Sequence, residues 1–497
     1  METQKLTDYE RKRLENIRRN DEMVAALKLQ AMATQLSAST KRQSNRAATK
    51  SYKTSPQKKP KIETPIVMRR SLRTRGMPPE AKGLDDDLVE SVAKIHKPLT
   101  PAKPGASRVW GPLNMEEAYT GSGSDRELIE TLVGIGKNSG VDTSVGVEFG
   151  SVKVCKDEIS GNLVKREGND GGSCLKLSSL TLNPENIARV MPGRIMAVRF
   201  LPCNNSRMIV AGNKLGNIVF WNLDSKGEGE DGIYLYHPHP GPISGISVHQ
   251  HCLSKIFTSC YEGVIRLMDA EKEVFDLVYS CEDTIFSLSQ QPNNANCLYF
   301  CEGYGGLSIF DRRTGNCPTK WSLHDARINT IDFNPGNPNI MATSSTDGTA
   351  CIWDLRSINA DKPKALKTVS HKRAIHSAYF SPYGRSLATT SYDDNVGITS
   401  GVNFEETSMI HHYNQTGRWI STFRAIWGWD ESYVFIGNMK RGVDIISPVQ
   451  RRSVFTLHSP HMSAIPCRFD AHPYNVGMLA GATSGGQVYV WTLLQGS

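Results

Sequence analysis

The chain has no apolar run approaching the length that spans a bilayer, about 20 residues, and no apolar core of a secretory leader near its start. A soluble, intracellular protein is expected. Metal-binding spacing is also missing. The eleven cysteines are an odd number, and none are arranged as Cys-x-x-Cys. Reduced, mostly buried thiols are expected, with neither a disulfide framework nor a zinc site. Catalytic signatures are absent too: the sequence has no GxSxG, no GxxxxGK[ST], no HExxH, and no GxGxxG opening a helix. The thirteen histidines fall mostly where repeat units begin, which suits a structural role. The expectation is a protein that is not an enzyme and takes no cofactor or metal.

Acidic residues are scarce in one region only. Residues 38–82 hold 13 basic and two acidic residues, with many Ser, Thr and Pro. Such a segment cannot bury enough apolar surface to offset chain entropy, so it reads as a disordered arm. Over residues 1–110 there are 24 basic against 12 acidic residues, while the remainder of the chain carries a net charge of −4. The basic character therefore sits on the N-terminal arm, and it points to a polyanionic partner, nucleic acid first. Lys58-Lys59-Pro60-Lys61 has the form of a nuclear-import signal, which places the protein in the nucleus. Arg69-Arg70-Ser71-Leu72-Arg73-Thr74-Arg75-Gly76 is a second basic cluster suited to phosphates. Ahead of the arm, Leu6, Tyr9, Leu14, Ile17, Met23, Leu27 and Met32 recur at helical spacing, giving a helical docking segment over residues 1–37. Residues 38–110 form the basic arm, and 111–170 a linker or irregular extension with a short helix at Leu128–Ile135.

What the rest of the chain has in abundance is a repeat. The stretch His324–Arg356 contains three short apolar runs, Ile328–Phe333, Ile340–Ser345 and Ala350–Trp353, separated by Asn334-Pro335-Gly336-Asn337-Pro338 and Asp347-Gly348. These are strands joined by hairpins. Apolar-x-apolar signatures recur at Val198-Arg199-Phe200, Ile246–Val248, Leu288, Ile331-Asp332-Phe333, Ala378-Tyr379-Phe380, Phe423 and Cys467-Arg468-Phe469, near the WD-repeat period of about 40–45 residues. Each unit needs neighbours to bury its faces. The expectation is an all-β, seven-bladed WD-repeat propeller over residues 171–497. The last unit supplies only three strands, so an upstream strand at Cys174–Leu182 is expected to close the ring and remove the exposed edges.

In such a ring, the loops entering each blade and the turns between second and third strands open on one end. Arg194, Lys214, Arg327, Lys372, Arg373, Arg418, Trp419, Lys440 and Arg441 all fall there, which makes this end the expected DNA-binding surface. Trp419 and Tyr304 are placed to stack on an unstacked base. Glu262 and Glu302 dilute the patch, while Asp347 and Asp393 fall where an Asp–His hydrogen bond holds a WD turn.

The run Cys351-Ile352-Trp353-Asp354-Leu355-Arg356 matches the WDxR box of propellers that dock on the large damage-binding subunit, the adaptor of a cullin-RING ubiquitin ligase; Ile309-Phe310-Asp311-Arg312-Arg313 is a weaker match. With these residues the propeller resembles the WD-repeat family of the UV-damaged-DNA-binding complex small subunit. The segment Tyr9–Asn20 and the Arg69–Gly76 cluster bring it closer to the WD-repeat protein 76 / changed-mutation-rate branch. The resemblance implies a nuclear protein that binds damaged or modified duplex DNA in the damage response, with histones or other chromatin proteins as further partners. A second reading is a ligase substrate receptor, with Trp353, Asp354 and Arg356 contacting the adaptor. The blandest reading is a protein-interaction scaffold.

Overall fold

The computed structural model describes residues 111–138, 177–225, 232–359, 363–417 and 419–493, besides Arg18. The chain divides into two units at Lys97/Pro98, and the sheets all lie in the second. The expected helix over 1–37, the basic arm and the import signal at Lys58, Lys59 and Lys61 lie outside the described residues, Arg18 aside, as does Val141–Lys165.

Seven antiparallel sheets follow one another in chain order. Blade 1 opens with the inner strand Ile195–Phe200, blade 2 with Ile243–Val248 and blade 3 with Ile285–Gln290. Blades 4 to 7 open with Ile328–Phe333, Ile375–Phe380, Ile426–Trp427 and Pro466–Ala471. The seven-bladed propeller read from the repeat is what the chain forms. Inner strands run side by side in matched register, because the same positions bond from blade to blade. Asp332 accepts the Phe380 N–H at 2.7 Å, and Asp470 accepts the Phe200 N–H at 2.7 Å. Blade entries therefore all lie at one end of the ring, and third-strand ends at the other.

The second strands are fully buried: Met208–Asn213 and Ile340–Ser345 are buried at every position. Both faces of each blade are covered by neighbouring blades, so the alternation expected of a half-exposed strand gives way to continuous burial. In blade 4, the Trp353 indole donates to Thr343 Oγ1 at 2.8 Å, His324 Nε2 lies 2.7 Å from the same oxygen, and His324 Nδ1 lies 2.9 Å from Asp347. Blade 5 repeats the arrangement with His371 against Asp393 and Thr389. These histidines hold turns, as the sequence suggested.

Ring closure is upstream in origin but shifted. Leu180–Thr181 pairs with the end of the last strand, Gln487–Leu493, with Leu180 opposite Leu493. A second short segment, Ile187–Arg189, then pairs further along, with Ile187 opposite Tyr489. The intervening turn at Pro184–Asn186 lets two short pieces do what one strand was expected to do. Leu180 is buried with Tyr489 and Trp491, and Leu177 packs at the edge of that cluster.

Residues 111–138, expected as part of a linker or irregular extension, pack on blades 1 and 2. Leu113–Asn114 adds a fifth strand to the outer edge of blade 2. A short helix α1, Met115–Ala118, and a longer helix α2, Arg126–Asn138, follow. Leu128, Ile129 and Leu132, on one face of α2, are buried in the core shared with blades 1 and 2. Arg126 forks onto Glu273 at 2.5 and 2.9 Å, and the hydroxyls of Tyr234 and Tyr236 donate to Glu127 and Asp125.

Candidate nucleic-acid interface

The cations at the blade-entry end sit on turns that are tied down. In blade 1, the Lys214 N–H donates to the Arg194 carbonyl at 2.8 Å, and the Asn213 side chain accepts from Leu215 and Asn217 N–H while donating to Pro192. In blade 5, the Lys372 N–H donates to Asp393 at 2.9 Å, and Ser391 Oγ donates to the Arg373 carbonyl at 3.1 Å. In blade 6, Asn438 accepts from the N–H groups of Lys440 and Gly442, and Arg441 takes a left-handed φ of 62° at the turn tip. Lys214, Lys372, Arg373, Lys440 and Arg441 are exposed; Arg194 and Arg327 are half-buried. Arg327 lies over the Phe286 ring at 5.0 Å, and its Nε donates to Asn329. Rigid turns fix where each charge stands, so little conformational freedom is lost on meeting a partner.

Asp325 is exposed at the blade 4 entry, but three other acidic residues of these blades are engaged. Asp347 accepts from Thr349 and faces His324, and Asp393 faces His371. Asp394 accepts the Asn414 N–H and the Gln415 amide. Those last bonds seat the long blade 5-to-6 connection, whose tip presents Trp419 at 89% exposure. Arg418 lies outside the described residues.

The charge is not spread round the ring. Arg327, Lys372, Arg373, Lys440, Arg441, Arg194 and Lys214 belong to blades 4, 5, 6 and 1, an arc in which Trp419 stands. Blades 2 and 3 present exposed Glu262, Glu282 and Asp283 instead. Tyr304, also 89% exposed, is on that acidic side, away from Trp419. Glu302, expected to dilute the patch, is turned inward: it meets Lys320 at 2.7 Å and accepts from Ser308, and these partners hold its carboxyl below the usual range against the opposing effect of burial.

At the opposite end, Arg356 forks onto Asp354, with Nε and Nη2 at 3.0 and 2.7 Å from its two oxygens, and keeps a 65% exposed side chain. Arg313 repeats the fork on Asp311 in blade 3, 69% exposed. Both arginines are thus oriented by the carboxylate two residues earlier and still reach solvent. Trp353, grouped with Arg356 as an adaptor contact, is buried at 3% exposure with its indole N–H spent on Thr343. It shapes the blade from inside and cannot touch a partner.

One set of polar residues escaped the sequence reading: Arg468 on the inner strand of blade 7 and Arg424, two residues ahead of that of blade 6, both lining the channel. An arginine between two apolar residues reads as solvent-facing, and only the ring turns that position toward the axis.

Seven blades in one ring, with His–Asp–Thr networks in blades 4 and 5, define a β-propeller. The family model "WD domain, G-beta repeat" matches residues 315–354 and 363–398, which cover most of blades 4 and 5. Over 98% of its length the chain is similar to WD repeat-containing protein 76 of Xenopus laevis, at 28% identity and covering 80% of that protein. It is similar as well to the DNA damage-binding protein CMR1 of Scheffersomyces stipitis (28% identical, 98% of this chain and 99% of that one) and of Neurospora crassa (27%, 98% of each).

Proposed function

We propose that this chain is a nuclear DNA-binding protein of the damage response that holds damaged or modified duplex DNA against the blade-entry end of its propeller. The observation that carries this reading is the arc of pinned cations over blades 4, 5, 6 and 1 with Trp419 exposed among them. The names of its CMR1 relatives support it. Lys and Arg along the backbone release counterions without reading sequence. Preference for altered sites then falls to Trp419, whose ring can stack on a base that damage has already loosened. Fluorescence anisotropy with matched intact and lesion-bearing duplexes, at two salt concentrations, tests this. Affinity should fall steeply with salt. Trp419→Ala should cut the preference for the altered duplex, by roughly 5- to 50-fold for the removal of one base–aromatic stack, with less effect on the intact one. Equal weakening on both duplexes would remove Trp419 from lesion recognition.

A second reading rests on the twin Asp-x-Arg forks at the far end. There Arg356 offers a planar, pre-oriented donor pair to carbonyl or carboxylate groups of a partner. The resemblance makes that partner the adaptor of a cullin-RING ligase. Arg356→Ala should leave the melting transition unchanged, since exposed pairs contribute little. It should nevertheless lower adaptor recovery in co-purification. Full recovery with Arg356→Ala and Arg313→Ala combined would show that the forks only shape their turns.

A further inference from the structure

The channel holds two guanidinium groups with no carboxylate of their own. Arg468 is buried and donates only to carbonyls, those of Met196 at 3.0 Å, Cys467 at 3.1 Å and Thr422. Arg424 reaches only the Tyr379 hydroxyl and the Asn329 carbonyl, at 3.4 and 3.5 Å. The channel's carboxylates are committed elsewhere. Asp470 pairs with Arg199 at 3.0 Å and accepts the Phe200 N–H, and Asp332 accepts the Phe380 N–H. Burial of like charges without a counter-charge is costly. The effect is visible in Arg468, pushed down to about 9 by burial and then by Arg424.

Two polar atoms here are buried with no partner, Arg424 Nε and His376 Nε2. His376 is itself only 7% exposed, its ring edge-on to Tyr392 with centroids 4.3 Å apart. Burial, and then Arg424, Arg468 and Arg327, push it down to about 3, so it stays neutral and cannot add to the repulsion. The two arginines line a cavity of about 60 Å³, to which Ser244, Ser287 and Thr330 also contribute. One water needs roughly 10–15 Å³ by such a measure, so the space suits a group of several oxygens. Guanidinium donors reach it from blades 6 and 7, an arrangement a tetrahedral oxyanion satisfies better than a planar carboxylate.

We infer that Arg424 and Arg468 form a phosphate-binding site on the propeller axis, beside the neutral His376. The phosphate is free inorganic phosphate or a phosphate of a nucleic acid. The site stands whether or not the outer arc binds DNA, since it rests on the channel residues alone.

The test uses the full chain. Sodium phosphate is titrated against sodium chloride at constant ionic strength, reading the melting temperature and the phosphorus NMR linewidth of inorganic phosphate. A saturable rise in melting temperature and line broadening specific to phosphate are expected. Arg424→Gln should weaken phosphate binding at least about tenfold, as expected for removing a charge-assisted hydrogen bond. Its present acceptors are long-range and neutral, so the fold should persist. No response in the wild type beyond that of chloride overturns the site, as does an undiminished response in a folded Arg424→Gln variant. A short oligonucleotide added to the phosphate-loaded protein separates the sources. Sharpening of the phosphorus line means that nucleic acid takes the site; continued broadening means that free phosphate keeps it. A failure of duplex binding to the arc leaves the titration untouched, so the two readings fail separately.

Discussion

Arg327→Glu combined with Arg373→Glu is expected to weaken binding to every duplex, intact or damaged, and to flatten the dependence on salt. The two arginines belong to adjacent blade entries, 4 and 5, at one end of the basic arc. Each phosphate that is no longer neutralised lowers the slope of log affinity against log salt by about 0.9. Reversing two cations should therefore reduce the slope by about 2, and affinity near 0.1 M salt should drop roughly 10- to 100-fold. Anisotropy on the full chain and on a fragment from Gly111 onward separates this surface from the basic arm. In the fragment the loss should be complete or nearly so, whereas in the full chain the arm retains part of the affinity. Wild-type affinity and slope in the doubly reversed fragment would move DNA off this end and bring the interaction-module reading forward. The fold should survive, because both side chains reach solvent and the turns are held by Asp393, Ser391 and backbone bonds rather than by the guanidiniums.

The largest stability effect is expected at the closure. Trp491 is 1% exposed on the last strand, in the core that Leu180, Phe469 and Tyr489 share. Trp491→Ala should cost about 3–5 kcal/mol, the range for emptying a large aromatic site. For a domain of this size that lowers the melting temperature by roughly 4–8 °C. A truncation that begins the chain at Val190 should be worse, since it strips both closing segments and bares the edge of Gln487–Leu493, a template for pairing between molecules. Differential scanning calorimetry on Trp491→Ala and a solubility measurement on the truncation check the pair. A truncated chain that stays soluble with an unchanged transition would show that the ring does not depend on upstream closure.

The blades were legible because turn residues and apolar runs recur at one period, and because Trp353, His324 and Asp347 stand at fixed offsets within one unit. Closure was legible from a count: three strands after Ala464 cannot complete a blade. Its register was not, since Ile187–Arg189 is three residues long and carries no alternation to read. The belt over blades 1 and 2 was hidden for a similar reason. Its strand is two residues, and its helix declares an apolar face only once a surface exists to receive it. The exposed cations could be placed on one end from topology alone. Their gathering onto one arc, the inward turn of Glu302 and the separation of Tyr304 from Trp419 depend on blade order in space. Trp353 shows the opposite hazard, a residue inside a recognisable motif whose work is entirely internal.

Closure also sets a timetable. Ala188 finds its partner in Val488, roughly 300 residues later, and synthesis at about 5–20 residues per second takes some 15 to 60 seconds to cover that distance. Throughout that interval the first blade exists beside a missing neighbour, and its flank is held, if at all, by chaperones. The belt of residues 111–138 changes which side is vulnerable. It emerges before blades 1 and 2 and can cover them as soon as they appear, so the nascent chain is guarded on its outer rim early and on its closing edge last. Ribosome stalling or premature termination late in the message should consequently yield a product that aggregates rather than a smaller working ring.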